Sequence, residues 1–214
     1  MWQLPHCRKT PPNALPQRVG LATPARLDRK PLQRLVLLRR QRGKRTIMDT
    51  GTARLFAQYR AWADELTYAA VAALPPGEAT KERPTLFKNM IGTLNHNYLI
   101  DRVWQAHLEG RDHGFTARNL VLHADLAELW AAQQTITRWY IDWAAAQSEA
   151  TLAEQVRFRF IGGEESTMRR GAILLHVVNH ATYHRGWIAE MFFQVPAQNP
   201  ATDLPVFLND PARC

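Results

Sequence analysis

Cysteine and serine are nearly absent from this 214-residue chain. The two cysteines, Cys7 and Cys214, stand at opposite ends in no metal or redox spacing. No disulfide framework is expected, and the pattern fits a cytoplasmic protein. The two serines, Ser148 and Ser166, lie outside any nucleophile-elbow context, and Gly162-Gly163 opens no helix. These absences argue against catalysis by a protein nucleophile and against a glycine-rich phosphate cradle. No apolar run approaches the roughly 20 residues of a membrane helix. The N-terminal segment has no apolar core of the secretory type, so neither membrane insertion nor secretion is expected.

Acidic side chains are missing from one stretch in particular. Residues 1–47 carry twelve of the 27 Lys and Arg against a single acid, Asp28, whereas 48–214 carry 15 basic and 18 acidic side chains. The net charge of +8 therefore belongs to the first 47 residues. Pro11, Pro12, Pro16, Pro24 and Pro31 oppose an amphipathic helix there, and the segment reads as a disordered extension. Three readings compete: an organellar targeting peptide, a basic arm for nucleic acid, or a stretch outside the native protein, which would begin at Met48. The expected division is a 1–47 extension and a 48–214 domain. What is plentiful is apolar material, 46% hydrophobic with seven Trp, enough for a sizeable core.

From Met48 onward the spacing predicts four long helices. The first runs over about 50–74 on Leu55, Tyr59, Trp62 and Leu66, and Pro75-Pro76-Gly77 stops it. The second is expected from near Pro84 to before Gly110, with Leu86/Phe87, Met90/Ile91, Leu94, Tyr98 and Val103/Trp104 as its stripe. Asp125 should cap the third, which carries Leu126, Leu129/Trp130, Ile136 and Trp139/Tyr140. The fourth follows Gly171 and ends by Pro196. Between the last two, Val156–Phe160 alternates apolar and basic residues before the Gly pair, predicting a short strand and a hairpin turn. The stretch 203–208 reads as a packed extension rather than a helix. The fold class is all-α, a four-helix bundle with a short β-hairpin before the last long helix.

The histidines carry the chemical information. His176, His180 and His184 recur every fourth residue on the last long helix. Residues four apart lie about 6 Å apart along a helix and can share one ion; residues eight apart, at about 12 Å, cannot. At most two of the three can therefore meet one metal, and a further ligand must come from another helix. His96, between Leu94 and Tyr98 on the second helix, is the best donor. Three neutral imidazoles leave coordination positions free, as catalytic sites do, and they suit zinc, nickel, manganese or iron. Neither half of the triplet contains a Glu, which argues against a metalloprotease. His6, His107, His113 and His123 read as solvated.

Two segments, Leu94-Asn95-His96-Asn97-Tyr98-Leu99-Ile100-Asp101-Arg102-Val103-Trp104 and Leu175-His176-Val177-Val178-Asn179-His180-Ala181-Thr182-Tyr183-His184-Arg185-Gly186, resemble the DinB family (DinB/YfiT-like metalloenzymes). The likeness spans about residues 48–210 and includes the closing Thr202-Asp203-Leu204-Pro205. It implies an up-down-down-up bundle, commonly a homodimer. It also implies a zinc or nickel ion held by His96, His180 and His184, which leaves His176 one turn outside. Some relatives are thiol-dependent transferases or isomerases, which implies a low-molecular-weight thiol made nucleophilic at the metal and a small-molecule substrate. One departure is Trp187, where many relatives have Gln; it makes the surroundings more apolar.

The sequence thus supports a metal-dependent transferase or hydrolase, with Asp101, Tyr183 and Arg185 as candidates to orient imidazoles or bind an anionic group. The alternatives are a non-enzymatic, metal-stabilised dimeric scaffold, or nucleic-acid binding through residues 1–47.

Overall fold

The structure is a computed structural model and describes residues 48–211. The basic segment and its three readings lie outside the described residues. Helix α1 (Thr50–Ala72) starts where Asp49 caps it: its carboxylate accepts from the Thr52 amide at 2.7 Å and from the Thr52 hydroxyl at 2.9 Å. Helix α2 spans Met90–Leu108 and α3 spans Leu126–Ala145, the latter capped by Asp125 through the Ala127 and Glu128 amides. A capping box at Ser148 and Thr151 opens the short α4 (Glu149–Ala153). Strands β1 (Gln155–Arg159) and β2 (Glu165–Arg169) pair antiparallel, Gln155 opposite Arg169 and Arg159 opposite Glu165. Gly163, at φ 98°, supplies the left-handed position of the turn. Helix α5 (Arg170–Phe192) completes the bundle, and α6 (Leu204–Leu208) closes over it.

The all-α bundle with a hairpin before the last long helix is the fold found. Helices α1 and α2 do not pair mainly with each other; each packs on both α3 and α5. The connections therefore have to cross the bundle, which is why 73–89 and 146–169 are long. The core between the rods is filled by Ala53, Ala57, Leu94, Leu99, Leu129, Ile136, Ile173, Leu174, Val177 and Ile188. On the hairpin, only Phe158 is fully buried, edge-on to Trp104 with ring centres 4.9 Å apart.

Two expectations need correcting. Helix α2 begins at Met90, six residues after Pro84. The residues between form a tight turn in which the Arg83 amide donates to the Lys88 carbonyl and the Lys88 amide to that of Thr85. Lys88 takes the left-handed conformation at φ 67°, which no helix interior admits, and Asn89 then caps α2 through the Gly92 amide at 2.7 Å. The stretch 203–208, read as an extension, is the single-turn helix α6, with Pro205 in its first turn and Phe207 buried between Tyr59 and Trp62, 5.4 Å from each ring centre.

The interior also holds a charged layer. The Arg60 guanidinium, 3% exposed, makes a two-pronged contact with the Asp101 carboxylate at 2.5 and 2.6 Å and donates to Asp64 at 3.2 Å. Gln133 Nε2 donates to Asp101 at 2.9 Å, Tyr140 donates to the Asp101 carbonyl at 2.8 Å, and Arg185 lies 3.8 Å from Asp64. Two cations and two anions from α1, α2 and α5 cancel, so the layer is neutral overall. Burial works against the Arg60 charge, but the Asp101 and Asp64 carboxylates outweigh it and hold its pKa above the ordinary value. Removing one partner leaves a buried charge uncompensated. Arg60→Leu should cost about 3–5 kcal/mol in urea unfolding, and Arg60→Leu with Asp101→Leu distinctly less. A single variant as stable as the parent contradicts this role.

Candidate metal centre

Three imidazoles meet where the middle of α2 faces the second half of α5. One ring nitrogen from each of His96, His180 and His184 lies within 4.8 Å of the other two. The ring centres are 5.0 Å apart for His96 and His180, 4.6 Å for His96 and His184, and 4.5 Å for His180 and His184. His96 and His184 are buried and His180 half-buried. The i, i+4 spacing on α5 sets His180 and His184 one turn apart, their rings tilted by 57°, and the close packing of α2 on α5 brings the third ring across. Among the described residues this is the one cluster of three or more metal-ligating side chains, and it contains no carboxylate or thiol.

Hydrogen bonding fixes which nitrogen of His96 faces the others. Its Nδ1 lies 2.7 Å from the Arg118 carbonyl, an acceptor only, so Nδ1 carries the proton and donates. The Nε2 lone pair then points at His180 Nε2, 3.2 Å away. Two lone pairs at that distance repel unless a proton or a cation lies between them. Ligands about 2.1 Å from one ion and 90–110° apart stand about 3.0–3.4 Å from each other, which matches. His184 Nδ1 is buried with no hydrogen-bond partner.

The rings are held neutral. Burial, then the neighbouring His184, His96 and His176, push His180 down to about 2; burial and then His96 push His184 down to about 4. His96 is lowered chiefly by burial. Neutral imidazole is the form in which histidine binds a metal.

An aromatic wall flanks the cluster. Phe87 stacks on His96 with centres 4.1 Å apart, while Trp187 meets His184 edge-on at 4.6 Å and lies 5.8 Å from Phe87. Tyr183, 60% exposed, stands 5.3 Å from Trp187. Gly92 makes this arrangement: a Cβ there would sit 2.2 Å from the Phe87 carbonyl oxygen, so only glycine lets the turn lie against α2. Phe87 read as part of the helical stripe; the cue to its actual place was Asn89 three residues ahead of Gly92, a capping arrangement.

The remaining candidates fall elsewhere. His176 packs on Trp104 at 4.9 Å and on His180 at 5.6 Å, outside the group of three. Asp101 and Arg185, candidates to orient imidazoles or bind an anion, are instead tied into the buried charge layer. Asp101 does not pair with Arg102, which donates to the Tyr98 hydroxyl. Tyr183 does lie beside His184, with ring centres 5.0 Å apart. His107, expected in solvent, is buried at 7% exposure against Trp104 and Phe158, because the hairpin folds over the end of α2. It lines, with His113, Arg157 and Arg159, a separate cavity of about 280 Å³ at the hairpin. Arg118 and Asn95 contribute to the centre and had no signal in the spacing.

Known proteins bear on this geometry. The sequence model of the DinB family matches residues 48–211. Protein DinB of Bacillus subtilis (strain 168) is 26% identical over 157 residues, covering 71% of this chain and 90% of the relative. The crystal structure of a DinB-like protein from Bacillus cereus ATCC 10987 superposes with a TM-score of 0.51 at 16% identity, over 68% of this chain and 94% of that one, a likeness of fold. The match takes in the bundle, the hairpin and all three clustered imidazoles, and on its extent this chain belongs to the DinB family.

Proposed function

We propose that His96, His180 and His184 hold a divalent ion, zinc or nickel, and that the protein is a metal-dependent enzyme acting on a small molecule with a low-molecular-weight thiol, as a transferase does. The observation that carries this reading is the convergence of three neutral ring nitrogens within 4.8 Å. Three nitrogen ligands suit a catalytic zinc site, which keeps a position for water or substrate. The ion, when bound, would lower the pKa of a thiol and make it nucleophilic at neutral pH.

The chain's own residues supply the rest. The Arg118 carbonyl holds the His96 ring by its Nδ1 proton and presents Nε2. Phe87, Trp187 and Tyr183 restrict water on one side and offer apolar surface to the substrate. No carboxylate belongs to the cluster of three, so the residues present favour transfer to a thiol over hydrolysis by a Glu-activated water. The reading includes a homodimer in the cytoplasm, on the family likeness and the scarcity of cysteine. Among the described residues no helix is long and apolar enough to cross a membrane.

Purified protein should bind about one zinc or nickel ion per chain. His96→Ala, His180→Ala and His184→Ala should each weaken that affinity by more than about 100-fold, beyond the loss expected for an outer partner. Thiol consumption with an electrophilic acceptor should stop on chelation and return with the metal. Metal retained tightly, with the fold lost on chelation but no thiol turnover, would replace the enzyme by a scaffold. The metal-free protein should also be acid-sensitive. His96, His180 and His184 titrate lower folded than unfolded, so the unfolded chain takes up protons first as pH falls. Their contribution is complete above about pH 6.5 and is lost below it, down to about pH 4 for His184 and about pH 2 for His180, readable in thermal melts.

A further inference from the structure

The Asn95 side chain, fully buried beside His96 on α2, uses every hydrogen-bonding position it has. Its Oδ1 accepts from the Leu122 amide at 2.8 Å and the His123 amide at 3.0 Å. Its Nδ2 donates to the His123 carbonyl at 2.8 Å and, within its own helix, to the Ile91 carbonyl at 3.0 Å. Three of the four bonds grip one end of the loop that leads into α3. That loop carries, four residues earlier, the Arg118 carbonyl that accepts the His96 Nδ1 proton.

We propose that Asn95 is a positioning residue: by clamping residues 122–123 to α2 it holds the Arg118 carbonyl over His96, and so decides which ring nitrogen of His96 faces the cluster. In the proposed metal site, on which this inference rests, the other tautomer would present a proton where a ligand lone pair is needed. A carbonyl behind a histidine ligand fixes its ring and tautomer, and loss of such a partner typically costs 10–100-fold in metal affinity.

The test compares three variants of the full chain with the parent. Asn95→Ala removes the clamp. Insertion of Gly-Gly between Asn119 and Leu120 keeps Asn95 and uncouples the clamp from Arg118. Asn97→Ala, on the same helix and also buried, removes an amide whose oxygen has no partner. Imidazole proton–nitrogen NMR of the metal-free protein reads the His96 tautomer, and chelator competition reads zinc affinity. A mixed His96 tautomer and an affinity lower by about 10–100-fold are expected for Asn95→Ala and for the insertion, with Asn97→Ala like the parent. A wholly Nδ1-protonated His96 in folded Asn95→Ala, or in the insertion variant should Asn95→Ala not fold, overturns the proposal. So does an affinity within about twofold of the parent once the tautomer has changed. A parent that binds no metal sinks the proposed function, while the tautomer still reports on the clamp.

Discussion

Imidazole lone pairs do not gather at a buried point unless something between them is positive. That constraint organises this protein. His96 is locked by the Arg118 carbonyl with its Nε2 lone pair toward His180, and burial keeps the neighbouring rings uncharged. The bundle frames this arrangement. Two of its helices supply the rings, the loop between α2 and α3 supplies the carbonyl, and Phe87 of the 73–89 connection with Trp187 of α5 supplies the aromatic cover.

The charged layer is a different solution to a related problem. Arg60, Asp64, Asp101 and Arg185 are buried as a neutral set, and their attraction joins α1, α2 and α5 across the core. Such layers contribute little net stability compared with apolar packing, but they penalise misregistered packing heavily, because any slip strands a charge. A site that needs its three rings within a few ångströms benefits from that penalty. The layer ties together α2 and α5, the two helices that also carry the three rings.

Much of this was legible in the residues. The four long helices follow from three- and four-residue apolar steps, and the hairpin from the alternation before Gly162-Gly163. The limit on sharing an ion between residues eight apart already required a ligand from a second helix, but spacing alone left open which of the three α5 histidines it joins. The resemblance implied His180 and His184, and these are the two whose rings lie with that of His96. What stayed hidden depends on partners distant in sequence. Asp101 gave no sign of facing Arg60, 41 residues earlier. His107 looks polar until the hairpin covers it. Pro84 and the pair Leu86/Phe87 imitate a helix start, and the left-handed Lys88 with the extended Asn89 cap breaks the pattern. Asn95 reads as one more polar residue on a helix, although its loop contacts set the ring next to it.

The most direct measurement is X-ray absorption on the zinc- or nickel-loaded protein, beside an anomalous-scattering map of its crystals. The account predicts one ion per chain with three imidazole nitrogens at about 2.0–2.1 Å, supplied by His96, His180 and His184. An ion held elsewhere on the chain, or one bound without the His96 ring, would contradict it.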